Sequence, residues 1–171
     1  MNDDRWMKMA YDAAIRSKDP RTKIGCVLVD KWSETKYLLA ANRPAGKATP
    51  EQFENTPLTK HDYMEHAERI AIMNAFKLLE LEDDLTDFVI YVNETPCTDC
   101  MNAIVESGIR DVRTCERWYQ HCLTHGPDPE EKYKKAATIM AANGGLMTRS
   151  AWNLGTVHAR RDDLQFQPMD W

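Results

Sequence analysis

The sequence predicts an α/β domain built on a five-stranded mixed sheet, and three observations support that expectation. Short runs rich in valine and isoleucine alternate with longer stretches of helical periodicity, in the order αββαβαβαβ. Only the first two strands lie close enough to pair across a tight turn. The later ones are separated by helices and must run parallel, joined by right-handed crossovers. With 171 residues, no internal repeat, no low-complexity tract and no linker, the chain reads as one domain over 1–171, with its core at about 3–150 and a C-terminal tail at about 152–171.

From about Asp3 to Lys18, the residues Trp6, Met9, Ala10 and Ala13 fall on one stripe, which marks an amphipathic helix packed on a core. Ile24 to Asp30 reads as a buried strand, and Tyr37 to Ala41 as its partner across a turn near Ser33-Glu34-Thr35. A polar segment with Pro44, Gly46, Pro50 and Pro57 then runs to about Tyr63. Loops of that length inside a domain are uncommon and often line a binding site. From about Ala67 to Leu81, the residues Ile70, Ile72, Met73, Ala75, Phe76 and Leu79 give a helix apolar around much of its girth, hence well buried. Val89-Ile90-Tyr91-Val92 is the central strand and delivers the chain to Pro96, where a helix starts that runs to about Glu106 and is ended by Gly108. Asp111 to Cys115 is a short strand. Pro127 to Glu131 introduces a helix reaching about Asn143, Gly144-Gly145 stops it, and Leu146 to Ala151 supplies the last strand. The tail carries Trp152, His158, Arg160, Arg161, Met169 and Trp171, and is expected either to pack on the surface or on a neighbouring subunit, or to be disordered.

Composition narrows the function classes. With 43% hydrophobic and 29% charged residues the chain is of ordinary soluble, globular type. No apolar run reaches membrane-spanning length and Met1-Asn2-Asp3-Asp4 does not open a signal peptide, so a cytoplasmic protein with no membrane partner is expected. Five cysteines, an odd number, read as reduced thiols rather than a disulfide framework. A net charge of -5 argues against bulk nucleic acid as a partner, because binding a phosphate backbone needs a basic face. A small substrate with one phosphate needs only one or two well-placed cations.

Two short segments hold the chemistry. Pro96-Cys97-Thr98-Asp99-Cys100 sets two thiols at i and i+3 after a helix-starting proline, and His66-Ala67-Glu68 sets a lone imidazole two positions before a carboxylate. Three protein ligands, with the fourth vertex left for water, make a catalytic zinc site, whereas a structural zinc is closed by four. One imidazole and two thiolates cancel the charge of Zn2+, so water there is acidified less than at an all-histidine site and a nearby base is needed. Glu68 fits that role, taking a proton from water and returning it to a ring nitrogen and then to a leaving group. On a helix turning about 100° per residue, Cys97 and Cys100 stand about 60° apart and can face one metal. The free N–H groups and positive dipole at the helix start favour thiolates. His66 and Glu68, at i and i+2, converge only at a helix tip, so the metal is expected between two helix N-termini, one near His66 and one near Pro96. Each half alone is weak. His66 by itself reads as a loop or cap residue, and Cys97 with Cys100 reads as a redox dithiol or binding module that would hold no stoichiometric metal. Together, in this order, they match H-x-E followed by P-C-x-x-C, the signature of zinc-dependent nucleobase deaminases.

Three stretches resemble the deoxycytidylate deaminases of the cytidine deaminase superfamily. They are Ser17-Lys18-Asp19-Pro20-Arg21-Thr22-Lys23-Ile24-Gly25 at the entry to the first strand, Tyr63-Met64-Glu65-His66-Ala67-Glu68-Arg69-Ile70-Ala71-Ile72 around the histidine, and Pro96-Cys97-Thr98-Asp99-Cys100 with Ile104-Val105-Glu106-Ser107-Gly108-Ile109 in the cysteine helix. The likeness runs from about residue 3 to about residue 150. It implies a three-layer αβα fold, a five-stranded mixed sheet with helices on both faces. It also implies His66, Cys97 and Cys100 as zinc ligands, Glu68 as proton shuttle, Asn42 as a sugar contact, the backbone at Ala67 and Pro96 as pyrimidine contacts, and a homo-oligomer. The activity it implies is hydrolytic deamination of dCMP, or of a 5-modified dCMP, to the uridylate and ammonia in pyrimidine nucleotide metabolism. A free cytidine-type nucleoside or a base in RNA is the alternative substrate, and net acidity counts against the RNA.

Some features depart from that family or read two ways. Asn42 reads equally well as a turn-forming asparagine before Arg43-Pro44. Ala40-Ala41-Asn42-Arg43 stands where the family typically shows Gly-Tyr-Asn-Gly, a loop tied to phosphate binding and to regulation by nucleoside triphosphates, so feedback control does not carry over. Ile70 stands where the family often has asparagine. Lys23, Arg43 and Lys47 are the candidates for a phosphate clamp. Trp118 and Tyr119, after the fourth strand, either cover the base by stacking or pack against the last helix.

Overall fold

In the computed structural model, which describes residues 1–19, 22–78, 84–125 and 129–151, the elements follow in chain order. They are α1 (Asp3–Ile15), β1 (Gly25–Asp30), β2 (Tyr37–Ala41), the two-residue β3 (Arg43–Pro44), a 3-10 turn (Pro50–Phe53), the single helical turn α2 (Lys60–Tyr63), β4 (Met64–Glu65), α3 (Ala67–Leu78), β5 (Phe88–Val92), α4 (Thr98–Glu106), β6 (Asp111–Cys115), α5 (Glu116–His125), α6 (Pro129–Ala142) and β7 (Leu146–Ser150). Five of the strands form one sheet in the order β2-β1-β5-β6-β7, with the wholly buried β5 at its centre. β1 is antiparallel to both β2 and β5, while β5, β6 and β7 run parallel, as the helical crossovers between them require.

The two-residue period of the strands sorts their side chains into two cores. Val27 and Val29 of β1, with Val89 and Tyr91 of β5, face Trp6, Met7, Ala10 and Tyr11 of α1 and Trp118 of α5. Cys26, Leu28, Ile90 and Val92 face Ile70, Ala71 and Ala75 of α3, Met101 and Ile104 of α4, and Ala136 and Met140 of α6. The architecture is therefore three layers, helices on both faces of a mixed sheet. Gly25 sets how closely one layer lies: a Cβ there would stand 2.1 Å from the carbonyl oxygen of Ala10 and 2.3 Å from the nitrogen of Ala14. Only glycine lets α1 cross the start of β1 at that distance. Gly108, at φ 93°, takes up the left-handed conformation that ends α4.

Several elements differ from the expectation. α1 stops at Ile15 rather than near Lys18, because the Ser17 hydroxyl turns inward and donates to Asn42 Oδ1 at 2.6 Å. The segment expected to be a loop carries local order. β3 pairs with β4, Gln52 Oε1 and Asp62 Oδ2 accept the backbone N–H groups of Thr49 and Thr59, and the rings of Phe53 and Tyr63 stack 4.1 Å apart. Each of these pieces is one turn or one pair long, too short to leave a periodic signal. α5 follows β6 directly, where no helix was expected before Pro127. Residues 79–81 of the expected third helix, Pro127, and the tail with Trp152, His158, Arg160, Arg161, Met169 and Trp171 lie outside the described residues. Among the described residues no helix is long and apolar enough to cross a membrane.

Candidate active site

β5 delivers the chain to the site, and a buried asparagine fixes its exit. Asn93 Oδ1 accepts the N–H of Gly25 at 3.0 Å, and its Nδ2 donates to the Lys23 carbonyl at 3.1 Å. The chain then passes Glu94, Thr95 and Pro96 to Cys97, which is the N-cap of α4 rather than a member of the helix. The expectation of two cysteines about 60° apart on one helix is corrected accordingly. Cys97 has extended backbone, and its sulfur accepts the N–H of Cys100 at 3.4 Å. His66 stands just before Ala67, the first residue of α3. The two helix tips meet as expected, with His66 Nδ1 3.2 Å from Cys100 Sγ and 3.6 Å from Cys97 Sγ.

All three donor atoms lie within 4.8 Å of one another. A tetrahedral zinc with bonds of about 2.3 Å to sulfur and about 2.05 Å to nitrogen needs donor separations of about 3.6 Å and about 3.8 Å, so the cradle has the right size. Two sulfurs and an imidazole also suit zinc better than the hard cations that prefer oxygen. The ionisation of the group fits as well. The neighbouring Cys100 and His66 hold the Cys97 thiol down to about 3, while the bond from Cys97, together with burial, pushes the Cys100 thiol far up. The bond to Cys97 raises the His66 imidazole above its ordinary value, against the effect of burial. Within this coupled pair negative charge is favoured on Cys97 over Cys100, and a cation between them would favour a second thiolate.

Glu68, the second residue of α3, is 3% exposed, and its Oε2 has no hydrogen-bond partner among the described residues. Burial pushes its carboxyl above the ordinary value, against its own backbone N–H and the charge of His66. A carboxyl with one unpartnered oxygen beside three metal donors is the group that an incoming water or ring nitrogen would meet.

Residues 1–116 match the family described as the cytidine and deoxycytidylate deaminase zinc-binding region, and the match includes His66, Glu68, Cys97 and Cys100. The chain belongs to that family. Zinc is the family's metal, and the three clustered donors are fitted to hold it. A probable deoxycytidylate deaminase of Caenorhabditis elegans is 32% identical over 63% of this chain and 54% of that protein. The human deoxycytidylate deaminase is 30% identical over 63% of this chain and 60% of that protein. The chain thus covers between about half and three fifths of the curated relatives it matches. In fold it resembles the dCMP deaminase of cyanophage S-TIM5, with a TM-score of 0.59 at 17% identity over 86% of this chain and 96% of that one.

In this cytidine and deoxycytidylate deaminase family member, a cavity of about 400 Å³ opens onto the cluster. His66, Glu68 and Cys97 form one wall, together with Glu94 and Lys132, whose Nζ lies 2.6 Å from Glu94 Oε1. Asp19, Thr22, Asn42 and Lys60 also line it, as a second cluster held together by its own bonds. There the Asp19 carboxylate, fully buried, receives Lys60 Nζ at 2.6 Å, Asn42 Nδ2 at 3.2 Å and the Thr22 N–H at 3.0 Å.

The residues expected to meet substrate are distributed unevenly. Asn42 lines the cavity but is 5% exposed, and its amide is engaged on both sides: Oδ1 accepts from Ser17 and Ile24, and Nδ2 donates to Asp19 and Thr22. Ala67 and Pro96 are buried at the two helix starts, their chain neighbours His66, Glu68, Thr95 and Cys97 forming the wall. The expected clamp does not assemble. Lys23 donates to the Ser17 carbonyl at 2.9 Å, Arg43 donates to the carbonyls of Pro44 and Gly46 and faces a separate cavity with Arg69, Lys47 is exposed, and none of the three lines the cavity at the metal donors. Trp118 and Tyr119 do not cover a base. Trp118 packs in the α1-side core, and Tyr119 lies against Tyr133 and under the Arg149 guanidinium, 4.1 Å from its ring centroid.

Asp19, Lys60, Glu94 and Lys132 are among the lining residues that sequence reasoning missed. Asp19 lay inside a recognised stretch without a role. Lys60 stood in the segment expected to line a site, and that was the one signal available for it. Glu94 and Lys132 gave none.

Proposed function

We propose that the protein is a zinc-dependent deaminase that hydrolyses the exocyclic amino group of dCMP, or of a 5-modified dCMP, giving the uridylate and ammonia. The observation that carries this reading is the buried, unpartnered Glu68 Oε2 beside the His66–Cys97–Cys100 cradle, in a cavity of about 400 Å³. That volume lies in the range of small-molecule sites. The relatives named deoxycytidylate deaminase support the choice of substrate.

His66, Cys97 and Cys100 hold the metal, fixed by the starts of α3 and α4. Zinc, when bound there, supplies the Lewis acidity that makes water a nucleophile near neutral pH. Glu68 does the proton work. Its raised pKa suits it to accept a proton at Oε2, deliver it to the ring nitrogen next to the amino-bearing carbon, and then serve the departing amine. Backbone groups at Ala67 and Pro96 meet the pyrimidine, and Asn42, its amide locked by protein bonds, lines the sugar end. The five cysteines are all free, in keeping with a cytoplasmic protein whose site needs reduced thiols. We read the chain as one domain acting as a homo-oligomer. The exposed Trp32, at 81%, offers an apolar contact to a neighbour.

The test is zinc analysis of the purified protein coupled to an ultraviolet deamination assay with dCMP, deoxycytidine, cytidine and a deoxycytidine oligonucleotide. One zinc per chain with dCMP turned over fastest is expected. Stoichiometric zinc with no release of ammonia from any of the four would overturn the reading.

A further inference from the structure

We propose that Lys60 selects a phosphate-bearing substrate: its ammonium, held at the cavity wall by the buried Asp19 carboxylate, receives the 5′-phosphate monoester of a pyrimidine nucleotide. The proposal rests on the deaminase reading for the direction in which the ring enters. In a pyrimidine nucleotide the ring carbon bearing the amino group and the phosphate lie at opposite ends of the molecule, so placing that carbon at Glu68 and the metal donors sends the phosphate away from them.

Among the described residues two lysines line the cavity, and their surroundings separate them. Lys132 is pinned by Glu94 at 2.6 Å, on the wall where Glu68 and Cys97 also act on its charge. A phosphate dianion there would meet Glu94, Glu68 and the Cys97 sulfur, whereas the anion paired with Lys60, Asp19, lies fully inside the protein. Lys60 stands with Asp19, Thr22 and Asn42, in a cluster tied together by the Asp19 carboxylate. Its side chain is 31% exposed, while that of Asp19 is 0% exposed. The carboxylate therefore serves as an anchor inside the protein and the ammonium as the group offered to the cavity. One of the three ammonium hydrogens goes to Asp19, which leaves two for a ligand. Asp19 also holds Asn42 and the Thr22 N–H, so the position of Lys60 is tied to the rest of that wall. Recognition at Lys60 uses a point charge shared with Asp19, and not the clamp that Lys23, Arg43 and Lys47 would have formed.

The experiment compares zinc-loaded wild type, K60M and K60R for binding of dUMP and of deoxyuridine by calorimetry, and for kcat/KM on dCMP and deoxycytidine. K60M keeps the aliphatic stem and removes the charge. It is expected to weaken dUMP about 10- to 100-fold, the range for a hydrogen bond to a charged group, while deoxyuridine stays within about twofold. K60R should recover part of the loss. Equal weakening of dUMP and deoxyuridine would make Lys60 a wall support and overturn the proposal, as would unchanged dUMP affinity in K60M. A wild type that binds dUMP no better than deoxyuridine overturns it too, while the deaminase reading stands or falls separately on ammonia release.

Discussion

Replacing Glu68 with glutamine should abolish turnover, leave zinc in place and make the metal-free protein more stable at alkaline pH. The carboxyl is 3% exposed, its Oε2 is unpartnered, and burial raises its pKa above the ordinary 4.5. A carboxyl with a raised folded pKa binds its proton more tightly in the folded than in the unfolded chain. Its contribution to stability is complete below 4.5 and is lost as pH rises through the folded value. At a pH above the folded value the metal-free folded state holds a poorly solvated charge that glutamine removes. Glutamine brings an unpartnered amide of its own, so the net gain is about 1 kcal/mol, which is about 2–4 °C in Tm for a chain of this size. At pH 4 the gain should vanish. Loss of a positioned general acid–base lowers kcat by about 10²- to 10⁴-fold, and a group that moves the proton twice belongs at the upper end. The assays are kcat on dCMP, zinc per chain, and thermal melts of metal-free wild type and E68Q at pH 4 and pH 8. Zinc lost together with activity, or a lower Tm for E68Q at pH 8, would show that the carboxylate holds the structure and would refute the proton-carrier role.

Two further outcomes are expected. G25A drives a Cβ to 2.1 Å from the Ala10 carbonyl oxygen and 2.3 Å from the Ala14 nitrogen, both backbone atoms that cannot swing aside. The cost should reach the upper end of overpacking, about 3 kcal/mol, and lower Tm by roughly 6–12 °C; a melt within about 1 °C of wild type would mean that α1 does not cross β1 as described. In metal-free protein the Cys97 thiol, held down to about 3, is ionised at pH 5 as it is at pH 7.5. Its alkylation by iodoacetamide, mapped by mass spectrometry, should change less than about threefold between those pH values, whereas an ordinary thiol slows by about 300-fold. Zinc should protect it, and Cys26, raised by burial, should stay unlabelled at both. A fall of about a hundredfold for Cys97 at pH 5 would contradict the hydrogen-bonded thiolate.

The reading from residues alone reached furthest where the physics is local. The bounds of β2 and β6 and the end of α4 followed from turn residues, apolar runs and the glycine at 108, each decided within a few positions. The metal donors were legible because two helix starts and three ligand types leave few other uses for those residues together. The segment before His66 was recognisable as a binding-site loop, but its ladder, turns and ring stack depend on pairs such as Phe53 with Tyr63, which periodicity does not report.

What the sequence determined without help was the layered α/β order and the identity of the cradle, since helix tips, strand alternation and ligand chemistry are written in neighbouring residues. Only the folded chain decided which charges face the cavity. Lys60 meets Asp19 across 41 positions and Lys132 meets Glu94 across 38, while Lys23 and Arg43 turn to nearby carbonyls instead. A long cationic side chain takes its direction from the partner that tertiary contact brings to it, and nothing in its own stretch of sequence names that partner.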